Sequence, residues 1–466
     1  MKAPGAKIGV EFPCPLTREQ AEAIYAQGRE AVIFVLMKLA AQVAKSSQGQ
    51  CATGPSTPSG MVPPHQKPTV RRRSKKPGAK AGHVGTRREP AEPTRQEEHP
   101  PLKRCPDCGG RLKGPTERRY RLIEEIIDTQ PEVTEHSIPR HWCGRCKKFV
   151  EPPVPDAMPG STFGHRVVTL TAWLHYGLGT TLSQITEVLN HHLHFKLSQG
   201  GLAGAWQRLA NVLFPWYEQI GEQAKDSGVL HADETGWRVN GQTNWLWCFT
   251  TKNATFYMIN RSRGSPALSK FFTETFDGVL VTDFWAAYNA VSCRGRQACL
   301  PHLFRELEKV NEVDHSASWT EFSRKLKRLL RDAIRLSIRR ELTEERFASR
   351  RARLGQRLDG LIQMSRESPN VKRLAGRLRR YREALFAFLD HPDVPSDNNH
   401  AEREIRPAVI IRKNSLCNRS EAGANAQAIL MSVYRTLKLR GLDPLETIVN
   451  ALRTYILTDT LPPLPA

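Results

Sequence analysis

At 466 residues the chain is long enough for a sizeable core and more than one domain. Its 69 Lys and Arg against 47 Asp and Glu leave a formal charge of +22, which favours a polyanionic partner without saying which. The longest apolar run, 31–37, is far too short to span a bilayer, and no signal peptide is visible, so a cytoplasmic, nucleoid-associated protein is expected.

Thr17 starts the first predicted helix as an N-cap, with Glu19 and Gln20 in its first turn, and residues 17–45 fill most of an N-terminal helical segment (1–47). Residues 48–101 hold Pro, Gly, Ser and charge with almost no apolar side chains, the composition of a disordered basic linker. Within it Arg71, Arg72, Arg73, Lys75 and Lys76 form an arm suited to a phosphate backbone or a minor groove. Read blandly, the same residues are a solvated tether. Residues 102–151 make a small module. Cys105-Pro-Asp-Cys108 and Cys143-Gly-Arg-Cys146 set two thiol pairs on tight knuckles, a pattern that closes a structural Zn2+ site with all four ligands from protein. Alternation at 120–127 and 133–140 predicts short strands between them. The other six cysteines are scattered, as in a reducing compartment.

Residues 160–227 read as several helices, with Val167, Leu170, Trp173 and Leu174 on one face. Residues 181–189 resemble the first part of a helix-turn-helix, and 199–213 would supply its recognition helix; buried packing explains the same spacing. His191, His192 and His194 fit exposed or core histidines better than a metal site. Residues 228–302 carry the strand signals. Val229-Leu-His-Ala-Asp-Glu-Thr-Gly-Trp237 predicts a strand that delivers Asp233 to its exit, and Asn240-Gly241 is a strong hairpin signal. Residues 245–251 and 254–259 complete a meander. Helical spacing over 265–276 follows, then a buried strand, 279–282, that ends at Asp283. Cys299-Leu-Pro-His302 reads as a strand-to-helix junction. Residues 303–391 are helical and Arg-rich, an insertion whose basic faces suit either DNA or paired charges. Residues 392–466 carry Asp397-Asn-Asn-His-Ala-Glu-Arg-Glu404, with Asp397 as N-cap and Pro407 as a kink or break, and close with packed helices.

Two carboxylates on neighbouring strand ends and a third on a helix are what two hard divalent cations, Mg2+ or Mn2+, require. Two such ions, roughly 3.5–4 Å apart, clamp the attacking and leaving oxygens of an in-line phosphoryl displacement. A lone strand-end Asp is usually a turn or cap residue; the joint pattern carries the chemistry. At about 100° per residue, Glu402 and Glu404 point roughly 200° apart, so only one can face the metals. Ala401, Ile405 and Ala408 mark the packed face without choosing between them. Asn398, Asn399 and Arg406 surround Glu402 with groups able to orient a carboxylate, which favours it.

His231-Ala-Asp-Glu-Thr-Gly-Trp-Arg-Val, Val281-Thr-Asp-Phe-Trp-Ala-Ala-Tyr-Asn and Asp397-Asn-Asn-His-Ala-Glu-Arg-Glu-Ile-Arg-Pro resemble the three signature stretches of the insertion-sequence 66 family of bacterial DDE transposases. The resemblance continues through Arg412-Lys-Asn-Ser415 and Met431-Ser-Val-Tyr-Arg-Thr-Leu437 and covers most of the chain from about residue 101 to 455. It implies an α/β, ribonuclease-H-like catalytic core with Asp233, Asp283 and Glu402 as metal ligands, and small companion proteins encoded beside the transposase. The family often carries a leucine-zipper-like segment near its start; Ile24, Ile33, Phe34, Leu36, Met37 and Leu39 do not keep that heptad.

The expected function is DNA transposition: metal-dependent cleavage at the ends of a mobile element, then transfer of the freed 3′-hydroxyl to target DNA, by a homo-oligomer on DNA. Two rivals remain at this point. One is a metal-dependent nuclease that cuts without joining. The other is a catalytically silent DNA-binding regulator.

Overall fold

The computed structural model describes residues 92–115, 117–126, 130–339, 341–364 and 368–466, with scattered residues between 22 and 37. The chain divides into two units, 1–69 and 70–466. In the first, the described residues between 22 and 37 are helical apart from Gly28. The rest of the expected 17–45 helix, and the arm Arg71, Arg72, Arg73, Lys75 and Lys76, lie outside the described residues.

The second unit opens with a small cysteine module. One knuckle is a turn in which Cys105 N–H donates to Gly110 O (2.9 Å) and Gly109 N–H to Cys105 O (2.9 Å), with Gly109 at φ 73°. The other joins two short antiparallel strands, β1 (His141–Cys143) and β2 (Lys148–Val150). The strands expected at 120–127 and 133–140 are absent among the described residues. Alternation there is not matched by burial. Tyr120, Ile126 and Val133 are about nine-tenths exposed, so no apolar face drives pairing.

Helices follow: α1 (His165–Ala172) runs into a π-helical turn at Trp173–Gly177, then α2 (Leu182–His192) and α3 (Gln199–Lys225). Thr181 starts α2 through a capping box with Gln184. α3 buries Leu202, Trp206, Leu209, Leu213 and Trp216. The apolar spacing at 199–213 is therefore accounted for by core packing. His191 and His192 are exposed.

The centre is a five-stranded sheet in the order β5-β4-β3-β6-β7. β3 (Val229–Val239), β4 (Gln242–Thr250) and β5 (Thr255–Asn260) form the antiparallel meander. Asn240 (φ 48°) and Gly241 (φ 74°) make its first turn, both in the left-handed region that a type I′ hairpin needs. After α4 (Ser265–Phe271), β6 (Phe276–Thr282) joins β3 in parallel, and β7 (Cys293–Ala298) joins β6 in parallel. β7 was not legible in the sequence, because Arg294, Gly295 and Arg296 interrupt any apolar pattern.

Alternate residues of the central strands face different cores. Val229, Val279 and Val281 face α5 (Leu300–Asn311), α6 (Ala317–Ser337), α7 (Glu344–Gln363), α8 (Pro369–Arg380) and α9 (Ala387–Asp390). Leu230, Ala232 and Leu280 belong to the core that α3 and α4 share. The chain returns through α10 (Asn399–Ser415), α11 (Glu421–Leu439) and α12 (Pro444–Thr458). α11 covers the exposed edge of β5: Ser432 Oγ and Thr436 Oγ1 accept the N–H groups of Tyr257 (2.9 Å) and Thr255 (3.0 Å). Those bonds supply partners that an open edge would seek elsewhere. No described helix is long and apolar enough to cross a membrane.

Candidate active site

Asp233 does not stand at the end of its strand, as the sequence suggested. It is the fifth residue of the eleven-residue β3, because Gly236 continues the strand and Trp237 and Val239 stay buried up to the hairpin. What ends near Asp233 is the parallel pairing. Val229, Leu230 and His231 pair with Val279, Leu280 and Val281. Carried two residues further, the same register sets Asp233 alongside Asp283, which directly follows β6. Strand alternation then puts both carboxylates on the sheet face shared by Val229, Val279 and Val281. Each carboxylate steadies its local backbone: Glu234 N–H donates to Asp233 Oδ1 (2.9 Å), and Trp285 N–H to Asp283 Oδ1 (2.8 Å).

The third carboxylate comes from α10. Asn398 N–H donates to Cys299 Sγ (3.2 Å), and the Asn398 side chain bonds to His231 Nδ1 (3.0 Å) and to Ala232 O (2.8 Å). The helix start is thereby tied to β3 one residue before Asp233. The N-cap position belongs to Asn398, not to Asp397, which instead accepts Asn399 N–H (2.9 Å). Pro407 neither breaks the helix nor ends it; α10 continues to Ser415. Along it the two glutamates part company. Glu404 is buried and takes Arg435 Nε (2.9 Å) and Nη2 (2.6 Å) from α11. Glu402 stays partly exposed, and its Oε1 accepts Arg305 Nη2 (3.0 Å) with His302 Nε2 at 3.9 Å. The group that bonds the Glu402 carboxylate is Arg305 from α5, with the His302 ring nearby. The sequence had pointed to Asn398, Asn399 and Arg406, of which Asn398 ties the helix start to β3.

Charge accumulates here. Burial, then Glu234, then Asp283, with a smaller contribution from Glu402, hold the Asp233 carboxyl well above its ordinary range. Burying like charges beside one another is costly, and a cation would offset it; among the described residues the oxygens of Asp233, Asp283 and Glu402 do not all come within 4.8 Å of one another. Behind the site, Glu234 has a nearly buried side chain that pairs with Arg263 (2.9 Å) and accepts Tyr288 OH (2.7 Å). Burial, then Asp283, raises its carboxyl to about 7. Arg263 in turn lies against the rings of Trp245 (4.5 Å) and Trp285 (4.0 Å). None of Glu234, Arg263 or Arg305 was singled out from the sequence, and only the adjacency of Asp233 and Glu234 hinted at the first. Beside Glu402 opens a cleft of 670 Å³ lined by His231, Lys252, His400, Glu402, Arg403 and Arg406. Its basic side chains could meet phosphate. Burial lowers the His231 imidazole to about 4, so its contribution is a neutral hydrogen bond.

In the cysteine module, backbone N–H groups of Cys108 and Asp107 lower the Cys105 thiol, and that of Cys146 lowers the Cys143 thiol. Cys146 N–H lies 3.4 Å from Cys143 Sγ. Each pair is thus a half-site primed for a soft cation, but the two knuckles are not closed on one another. Among the described residues, one His/Cys/Asp/Glu set of three has ligand atoms within 4.8 Å of each other, and it is Cys299, His302 and Glu402. A Zn2+ ion shared by Cys105, Cys108, Cys143 and Cys146 would supply the core this module lacks. Removing zinc with a chelator, or Cys143→Ser, is expected to lose one equivalent of zinc and unfold the module, since metal-binding energy is folding energy in such small domains. Metal analysis with limited proteolysis of the full chain checks this; undiminished zinc in the variant refutes the four-ligand site.

Comparison with known proteins bears on both regions. A model of the zinc-finger binding domain of IS66 transposases matches residues 103–147, a span that contains all four cysteines. This supports structural zinc. Among curated proteins, y4jD of Sinorhizobium fredii (strain NBRC 101917 / NGR234) is 25% identical over 423 residues, 78% of this chain and 78% of that protein. The protein y4qI of the same strain is 28% identical over 266 residues, 50% of this chain and 49% of its own length. Both relatives are themselves uncharacterized. The model of the IS66 transposase family matches residues 160–426, from the helices before the sheet to the first turns of α11, and the chain belongs to that family.

Proposed function

We propose that this transposase cuts DNA at the ends of an insertion sequence and joins them to target DNA, with Asp233, Asp283 and Glu402 as its catalytic carboxylates. The observation that carries the reading is the register of β3 and β6, which aligns Asp233 with Asp283 on the face approached by α10 and Glu402. A central strand with an antiparallel meander on one side and parallel strands on the other, acidic on both inner strands, is the arrangement expected of a ribonuclease-H-like core. The helices α5–α9 between Asp283 and Glu402 then correspond to the insertion.

Divalent cations held by the three carboxylates would supply Lewis-acid stabilisation of the attacking and leaving oxygens. The chain's own groups do the rest. Asn398 fixes α10 against β3, so that Glu402 and Asp233 keep their relation. Arg305 holds the Glu402 carboxylate at the cleft. Arg403 and Arg406 line the cleft beside Glu402, together with a Lys252 that pairs with Asp393 (3.2 Å), and would take phosphates of the bound DNA. Water is the nucleophile of the first step and the freed 3′-hydroxyl of the second, so no Ser or Tyr nucleophile is required. Double-stranded DNA is the partner, bound by a homo-oligomer near the nucleoid, with companion proteins of the element as further partners.

The test is a strand-transfer assay with linear DNA carrying the sequences that flank the gene. Joined products support the reading. Cleavage without joining would assign a nuclease, and binding without either would assign a regulator. The basic arm makes a separate contribution in this scheme. Replacing Arg71, Arg72, Arg73, Lys75 and Lys76 by Ala is expected to weaken binding to every DNA sequence. The log–log salt slope should flatten by roughly 0.9 for each phosphate that is no longer neutralised. An unchanged slope in binding titrations would leave the arm as a tether.

A further inference from the structure

We propose that Cys299, His302 and Glu402 form a second metal site, selective for Zn2+-class cations, that shares Glu402 with the catalytic carboxylates. The three ligand atoms lie within 4.8 Å of one another. Tetrahedral zinc holds sulfur at about 2.3 Å and nitrogen or oxygen at about 2.0–2.2 Å, so small side-chain rotations would bring them onto one ion. A thiol, an imidazole and a carboxylate are the donors zinc prefers, and Mg2+, which takes oxygen, does not compete well for the first two. Three protein ligands leave a fourth position for water or another ligand.

The surroundings are built as a metal site's are. Cys299 is buried at the start of α5, with its own N–H held by Thr282 O (2.9 Å) at the end of β6. Its sulfur already accepts the Asn398 N–H (3.2 Å), the kind of outer bond that orients a thiolate ligand. His302 follows one turn later, and its N–H donates to Cys299 O (3.2 Å), so the Cys-x-x-His turn is fixed before any ion arrives. Arg305 opposes occupancy: its Nη2 lies 3.3 Å from the His302 ring nitrogens and 3.0 Å from Glu402 Oε1. Its side chain is about half exposed, however, and can swing into solvent. Binding would release the Cys299 thiol proton to solvent and draw Glu402 from Arg305 onto the zinc. One carboxylate cannot serve both centres in full, so zinc here would act as an inhibitor of cation-dependent cleavage. The binding stands on the geometry alone; its effect on cleavage rests on the catalytic reading of Glu402.

The test uses the full chain. Zn2+ content after equilibration and desalting, and the Co2+ absorption spectrum, are compared for the parent, Cys299→Ser and His302→Ala, with Cys143→Ser to set the cysteine module aside. The parent is expected to hold one equivalent more than either Cys299→Ser or His302→Ala. Cobalt should add a mixed sulfur, nitrogen and oxygen spectrum distinct from that of four thiolates. The drop in affinity should exceed the roughly 10–100-fold that removing an outer partner costs. Arg305→Ala should raise zinc affinity by up to about fivefold, the scale of an exposed ion pair. His302 is partly exposed, so its variant reports even if Cys299→Ser fails to fold. Equal metal content and equal spectra in the parent, Cys299→Ser and His302→Ala overturn the site. In the cleavage assay at fixed Mg2+, each protein is measured with and without zinc and compared with its own zinc-free rate. Inhibition that disappears in Cys299→Ser supports the shared carboxylate, and inhibition equal to the parent's overturns it.

Discussion

Asp233→Asn, and separately Asp283→Asn, should abolish cation-dependent DNA cleavage while leaving DNA affinity largely intact. The two effects separate because the groups that meet phosphate are Lys and Arg, on other elements. The loss should exceed the roughly 10–100-fold typical of an outer metal partner, since these carboxylates would hold the cations directly. A second consequence distinguishes ligands from merely structural aspartates. Burial and the neighbouring Glu234 and Asp283 disfavour the charged form of Asp233, so the metal-free protein carries an uncompensated cost there. Removing the charge relieves it. Asp233→Asn should therefore unfold at a higher temperature than the parent without divalent cations, and should lose the stabilisation that added Mg2+ or Mn2+ gives the parent. Calorimetry with and without the cation, beside gel-shift and cleavage assays, reads all three quantities. A variant that cleaves normally, or that Mg2+ still stabilises as it does the parent, removes Asp233 from the metal site.

The parts of this fold that were legible in the sequence are those where local chemistry and tertiary burial agree. Asn240-Gly241 can make a tight left-handed turn almost regardless of context, and the meander around it follows. The apolar run before Asp283 is buried on both faces, between two cores, and reads as a strand for that reason. Errors arose where the outcome depended on partners far along the chain. Gly236 looks like a strand exit but lies opposite Trp245 in an unbroken ladder. β7 has no apolar signature because its place is decided by pairing with β6. The alternation at 120–127 lacked a surface to cover it, so no strand formed. The candidate site divides in the same way. Asp233, Asp283, Glu402 and Asn398 stand in recognisable motifs, whereas Arg305 and Arg263 act through contacts with residues distant in the chain. Cys299-Leu-Pro-His302 reads in sequence only as a strand-to-helix junction, because Glu402, whose carboxylate comes within 4.8 Å of both side chains, arrives from α10.

Glu402→Gln and Glu404→Gln should fail in opposite ways. Glu402 is partly exposed at the cleft, and its ion pair with the half-exposed Arg305 is of the kind worth about 0–1 kcal/mol. Glu402→Gln should therefore fold with nearly parental stability and yet lose cleavage and strand transfer, because an amide is a poor substitute for a carboxylate on a hard cation. Glu404 has a side chain about 6% exposed, paired with an Arg435 that is itself about 15% exposed, between α10 and α11. Tyr257 OH also donates to the Glu404 carbonyl (2.5 Å), which locks this turn of α10 onto β5. Glu404→Gln leaves the Arg435 charge buried without its counter-ion, and breaking such a pair from one side costs about 3–5 kcal/mol. Its expected signature is a lowered unfolding midpoint with residual cleavage per folded molecule. Thermal unfolding and cleavage, each normalised to folded protein, separate the two roles. Should Glu404→Gln lose activity at full stability while Glu402→Gln keeps it, the third carboxylate is Glu404, and α10 must turn by about 200° in the active complex.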